Sequence, residues 1–322
     1  MPDDLITRCS VDTAEEARSV GGSESAAASL PPRNSPFAIV GVLGLVLGLV
    51  FVVAMVGRAP APVAGVAVPV ATGADPVHSE PGPSSSDPAP VPIAGLDSNP
   101  LLAEGVALPE VACELPGIGA ESAELKVFYE AGLRCLDDAW EPVLAAAGEP
   151  FDEAGLEVNA HAPSECGAPP EEAEATAFYC GWDEVIYMPQ ERLLATVGLN
   201  RSAHLAVLPH EYGHHVQLLS GIMYSLGAEL AGAEEGGAEE LELTRRAELQ
   251  ANCFAGLFLA AAAGRGSITE GQAQVAVEDF ANSTDSDTHG TLTSQLAWAR
   301  TGFNADGTAG CDTFAAAADA VR

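Results

Sequence analysis

His210-Glu211-Tyr212-Gly213-His214 sets two imidazoles four residues apart, with a carboxylate beside the first. On a helix, residues i and i+4 share a face, so both rings can reach one ion. Glu211, next to the first ring, can accept a proton from a water bound to that ion. Zinc lowers the pKa of such a water to about 7, which gives a hydroxide nucleophile at neutral pH. The chemistry to expect is metal-assisted hydrolysis. HExxH also arises by chance, and a pair of hydrogen-bonded histidines on a surface helix is the plain alternative.

A catalytic zinc needs a third protein ligand and an open fourth position. Metzincin spacing would put glycine at 217 and histidine at 220, but Gln217 and Ser220 stand there. A carboxylate from a later helix remains, and Glu248 stands out. Its helix face carries Ala251, Asn252 and Ala255, small residues that let another helix pack closely. Glu239, Glu240 and Glu242 lie in about the first turn, where the helix dipole and solvent explain them. On residues alone, ligand and solvated glutamate both stay open for Glu248.

These side chains need rigid mounts. Ser202 to Leu219 and Glu239 to Ala263 read as two long helices. Pro209 either starts the first or kinks it, and both outcomes keep the two imidazoles on one face. Glu121 to Ala147 shows a helical apolar period, with Pro142 set to kink or split it and Glu149-Pro150 to end it. Thr269 to Phe280 and Ser294 to Thr301 read as further helices. Leu156 to Ala160 and Glu184 to Met188 read as strands, joined by a loop between Cys166 and Cys180. The fold class is therefore helix-rich α+β.

Outside that domain the chain divides sharply. Residues 1–36 are Ser-, Ala- and charge-rich and read as a disordered tail. Residues 37–57 contain no charged side chain, and twenty-one residues at about 1.5 Å each match the apolar thickness of a bilayer. A signal sequence has a shorter apolar core, so a transmembrane helix is expected. Gly44 and Gly48 form a GxxxG pair that weakly suggests a homodimer. Residues 58–104, rich in Pro, Ala and Ser, read as a semi-rigid spacer, which leaves 105–322 as the globular domain. Arg18 and Arg33 precede the apolar run and Arg58 alone follows it closely, which places the N-terminus in the cytoplasm. Six of the seven cysteines follow the run. An even set suits disulfides in an extracytoplasmic space, and sequence-local pairing (113–135, 166–180, 253–311) is the expectation. A net charge of −33 disfavours nucleic acid, which needs a basic footprint.

Two stretches, His210 to Gln217 (HEYGHHVQ) and Glu248 to Gly256 (ELQANCFAG), resemble the bacterial "putative neutral zinc metallopeptidase" family. Cys166-Gly167, Phe178-Tyr179-Cys180, Asp287-Thr288-His289-Gly290, Trp298, Gly302 and Cys311-Asp312-Thr313-Phe314 extend the likeness over about residues 109–318. The resemblance implies a zincin-like fold in which the HExxH helix packs on a glutamate-bearing helix and a small sheet. It implies one Zn2+ on His210, His214 and Glu248, with Glu211 as general base and a peptide or protein as substrate. By analogy with zincins, the strand Glu184 to Met188 would offer an edge to an extended substrate. Asn252 departs from the family's usual aspartate. Its amide oxygen can still orient a ligand histidine, without the charge that raises ligand basicity.

His289 has two readings, a catalytic donor to the oxyanion formed at a peptide carbonyl or a loop histidine bonded to Asp285, Asp287 or Thr288. Tyr212 and Tyr187 are weaker candidates for the donor role. His215 points about 100° away from the ligand face and reads as packing. A zinc-binding scaffold without activity and a tethered binding module with an accidental motif are the rival functions.

Overall fold

The structure is a computed structural model that describes residues 95–170 and 175–322. The tail at 1–36, the apolar run at 37–57 with its Gly44/Gly48 pair, and the spacer up to residue 94 lie outside the described residues. Among the described residues, no helix is long and apolar enough to cross a membrane.

Helix α1 runs Ser122–Ala147 without interruption, although Pro142 lies inside it. Glu121 and Glu124 cap its start reciprocally, and left-handed Gly148 ends it just ahead of Glu149-Pro150. Three short strands follow: β1 Gly155–Glu157, β2 Phe178–Cys180 and β3 Val185–Tyr187. Next come α2 Gln190–Thr196, α3 Arg201–Leu219, α4 Ile222–Leu230 and α5 Ala238–Ala262. Helices α6 Glu270–Asp279 and α7 Leu292–Asn304 complete the set. The architecture is helix-rich α+β with one three-stranded sheet, as the sequence implies.

The sheet order corrects one expectation. β3 is the central strand, parallel to β1 with Leu156 opposite Ile186, and antiparallel to β2 with Tyr179 opposite Ile186. Both of its edges are therefore paired within the chain, so Glu184 to Met188 cannot offer an edge to a substrate. The reason is β2: a three-residue strand that ends in a disulfide cysteine is too short to show alternation, and it fills that edge. Of the two outcomes read for Pro209, a helix start is excluded. Helix α3 does not start there but at Arg201, where the Asn200 side chain accepts from the Ser202 amide.

One core joins these elements. Trp140 of α1 meets Phe254 of α5 edge to face, with ring centroids 5.2 Å apart. The packed chain reaches back ahead of residue 105, since Leu101 and Leu102 are buried in that core and Asn99 donates to the Ser220 carbonyl. Three disulfides, Cys113–Cys135, Cys166–Cys180 and Cys253–Cys311, follow the sequence-local pairing. The last fastens the C-terminal 3-10 turn Thr308–Cys311 to α5.

Two glycines set how closely α5 and α7 approach. A Cβ at Gly302 would lie 1.9 Å from the Cys253 carbonyl oxygen, and one at Gly256 would lie 2.1 Å from that of Ala299. Only hydrogen fits at either place.

Candidate metal centre

Helix α3 carries the HExxH residues, and the residues between the two histidines lock it in place. Tyr212 is fully buried and donates to Asp137 of α1 at 2.8 Å. Gly213 faces α5, where a Cβ would come within 3.0 Å of the Ala251 Cα. His215 turns toward the sheet: its Nδ1 lies 2.9 Å from the Tyr179 hydroxyl and its Nε2 lies 2.9 Å from the Asp152 carbonyl oxygen. The packing role read for His215 holds. The small-residue face expected around Glu248 also holds, since Ala251 is where α5 meets Gly213.

That crossing brings Glu248 to the histidines. Its Oε2 lies 3.3 Å from His210 Nε2 and 3.4 Å from His214 Nε2. None of its neighbours is aligned to hydrogen-bond this oxygen, although it is buried. A buried carboxylate oxygen without a partner costs about 1–3 kcal/mol or more, a cost that a bound cation would offset. Donors around a tetrahedral ion with bonds of about 2.0–2.1 Å stand about 3.3–3.4 Å apart. The two separations observed are of that size. Imidazole and carboxylate together suit zinc.

Each ring is held from behind. Asn252 Oδ1 lies 2.7 Å from His210 Nδ1, and Gln217 Oε1 lies 2.9 Å from His214 Nδ1. Oxygen acceptors at Nδ1 fix the tautomer that leaves each Nε2 lone pair free for a metal. Gln217 is anchored in turn, donating to the Ala247 carbonyl at 2.8 Å and to Gln250 Oε1 at 3.0 Å. The residue that breaks metzincin spacing thus orients a histidine. It lies three residues after His214 on the same face, and that spacing was the signal available in the sequence.

Glu211 is 6% exposed, and its carboxyl shares a cluster with His210 and His214 whose ligand atoms all lie within 4.8 Å of one another. Glu211 is within reach of the same ion, and the Glu248 separations from both imidazoles are of tetrahedral size. Burial raises the Glu211 carboxyl above its ordinary range, partly offset by the His210 and His214 imidazoles. Burial would raise Glu248 too, but the His289 and His214 imidazoles outweigh it and hold that carboxyl well below its usual range. Burial disfavours charge on His214, yet the Glu248 carboxylate pushes it up to about 9.

Two donor candidates are corrected. Tyr212 is spent on Asp137, and the Tyr187 hydroxyl bonds Asp183 Oδ2 at 2.7 Å and the Pro163 carbonyl at 3.1 Å. Both hydroxyls are committed to structural bonds. His289 does reach the cluster. Its Nδ1 lies 3.1 Å from the Thr288 hydroxyl and 3.2 Å from that of Ser286, and its Nε2 lies 3.4 Å from Glu248 Oε2.

Comparison with known proteins adds a family match. The family described as "Putative neutral zinc metallopeptidase" matches residues 93–314. The uncharacterized protein YpfJ of Escherichia coli strain K12 is 28% identical over 216 residues, covering 61% of this chain and 74% of that protein. The uncharacterized protein Rv2575 of Mycobacterium tuberculosis strain H37Rv is 31% identical over 128 residues, covering 38% of this chain and 40% of that protein. No solved structure matches the chain.

Proposed function

The chain belongs to that neutral zinc metallopeptidase family, and from this premise we propose that it is a membrane-anchored peptidase hydrolysing peptide bonds. One zinc ion per chain is held by His210, His214 and Glu248. The observation that carries the reading is the buried, unpartnered Glu248 Oε2 facing two imidazoles whose Nδ1 atoms are already occupied. When bound, the ion supplies Lewis acidity and a nucleophilic water at neutral pH.

The chain's own groups do the rest. Glu211 accepts the proton of the attacking water and passes it to the departing amine. Burial raises its carboxyl, which makes it a better proton acceptor than an exposed glutamate. Asn252 and Gln217 keep the two rings from rotating away. Residues 37–57 anchor the protein in the membrane with the N-terminus cytoplasmic, and the Gly44/Gly48 pair allows a weak homodimer. Three disulfides support an extracytoplasmic domain, and the acidic balance argues against nucleic acid as a partner.

Glu211→Gln tests the assignment. The variant should keep its zinc while cleavage of a peptide library falls by about 10²–10⁴-fold, the usual worth of a general acid–base group. Undiminished cleavage by the variant removes Glu211 from the chemistry. A zinc-loaded wild-type chain that cleaves no peptide makes the protein a scaffold, the reading that Asn252 favours.

A further inference from the structure

Three imidazoles, rather than two, surround the Glu248 carboxylate. His289 Nε2 stands 3.4 Å from Oε2, the same separation as His214 Nε2. We infer that His289 is a fourth protein ligand of the metal, completing a set of three imidazoles and one carboxylate. The inference rests on the zinc reading above.

Three observations carry it. The first is distance. All three ring nitrogens stand 3.3–3.4 Å from one oxygen, the spacing of three tetrahedral edges that meet at one vertex. Direction is the second. A ring N–H this close to a carboxylate would be expected to donate to it, but Oε2 accepts no hydrogen bond. The nitrogens are therefore aimed past that oxygen. The Nδ1 of His289 lies 3.2 Å from the Ser286 hydroxyl and 3.1 Å from that of Thr288, either of which can accept from it as the amide oxygens do behind His210 and His214. Such acceptors leave Nε2 free to coordinate.

Construction of the loop is the third. The Gly290 amide donates to the Ser286 carbonyl at 2.8 Å, closing a tight turn around His289. Gly290 sits at φ +82°, a conformation that glycine adopts without strain. Arg245 clamps this turn by donating to the Asp287 carbonyl, while its Nε holds the Val321 carbonyl. Gln295 donates to the Gly290 carbonyl at 2.9 Å. Arg245 precedes Glu248 by three residues on α5, so the turn and the carboxylate share one mount. A freely placed loop histidine would need no such clamp.

The set has a consequence. Four protein donors leave a tetrahedral ion no open position, whereas a catalytic site must admit water. The His289 side chain is 34% exposed, against 15% for His210, 10% for His214 and 18% for Glu248. His289 is therefore the most accessible of the four donors, the one that an entering water would reach first.

X-ray absorption on the zinc-loaded full-length protein counts the imidazoles directly, and the visible spectrum of the cobalt(II) form reports coordination number. The expected result is three imidazoles and a four-coordinate cobalt spectrum. In His289→Ala the count should fall to two. Zinc should loosen by more than about 100-fold, the upper cost of losing only an orienting partner, and added free imidazole should restore the wild-type spectrum. Two imidazoles in the wild type, with a cobalt spectrum unmoved by His289→Ala, overturn this inference and leave the zinc reading intact. A wild-type protein that binds neither metal overturns both. The imidazole count needs no variant, so it stands even if His289→Ala misfolds.

Discussion

Replacing Asn252 probes how the outer residues tune the centre. Asn252→Ala removes the oxygen 2.7 Å from His210 Nδ1 at a position that is 3% exposed. The ring N–H then faces a buried space with no acceptor, at a cost of about 1–3 kcal/mol. At 1.4 kcal/mol per tenfold, that is about 5–150-fold in zinc affinity, which brackets the about 10–100-fold typical of an orienting partner. Asn252→Asp runs the other way. A charged acceptor is worth about 1.5–3 kcal/mol against about 0.5–1.5 for a neutral one. A gain of about 1 kcal/mol, or about fivefold tighter zinc, should follow. Competition with a chromophoric chelator measures both variants, with circular dichroism to check that each is folded. Zinc affinity within twofold of wild type in Asn252→Ala, or weaker binding in Asn252→Asp, refutes the account of His210 orientation.

Two further outcomes follow from packing and charge. Gly302→Ala should destabilise the domain by about 3 kcal/mol, the upper end for overpacking. The new Cβ meets Cys253 backbone that cannot yield unless the helices separate. Denaturant midpoints check this, and an unchanged midpoint contradicts the close approach. Asp137 is pushed up to about 6 by burial, against the Tyr212 hydrogen bond and with Glu153, Asp138 and Glu141 adding to the rise. The folded state therefore binds that proton more tightly than the unfolded chain, whose carboxyl titrates near 3.8. This stabilisation is complete below about pH 4 and is lost as the pH rises through about 6. The ceiling of about 3 kcal/mol falls to about 1–2 once solvent screening of a partly exposed group is allowed. Asp137→Asn should remove that pH dependence, seen as a change of about 1–2 kcal/mol in the wild-type-minus-variant unfolding free energy between those limits. Parallel curves would show that Asp137 titrates normally.

How much of this could be read in the chain depends on how local the signal is. HExxH on one helix face, Glu248 beside Ala251, and the longer helices are local patterns, and the structure reproduces them. Cys166 and Cys180 pair across a 14-residue separation and Cys113 and Cys135 across 22, whereas Cys253 and Cys311 are 58 apart and meet because the C-terminal turn folds back onto α5. The strands were harder. Three residues cannot establish an alternation, so Phe178–Cys180 was hidden in a loop and β3 was mistaken for an edge. Helix α4 was missed because Gly221 and the Gly- and Glu-rich run after Leu230 suggest a loop. The direction of His289 was illegible because it depends on Arg245 and Gln295 reaching a distant turn, and no periodicity encodes a loop's course. Tyr187 and Tyr212 were candidates by residue type alone, and their partners, Asp183 and Asp137, decided against them.

Metal analysis of the Glu248→Ala chain, set against wild type after the same zinc loading and desalting, tests the central claim most directly. Wild type should retain one zinc per chain and the variant well below one, because the shared anionic donor has gone. No zinc in the wild type would mean that the proposed chemistry has no centre, and equal zinc in both would mean that Glu248 is not one of its ligands.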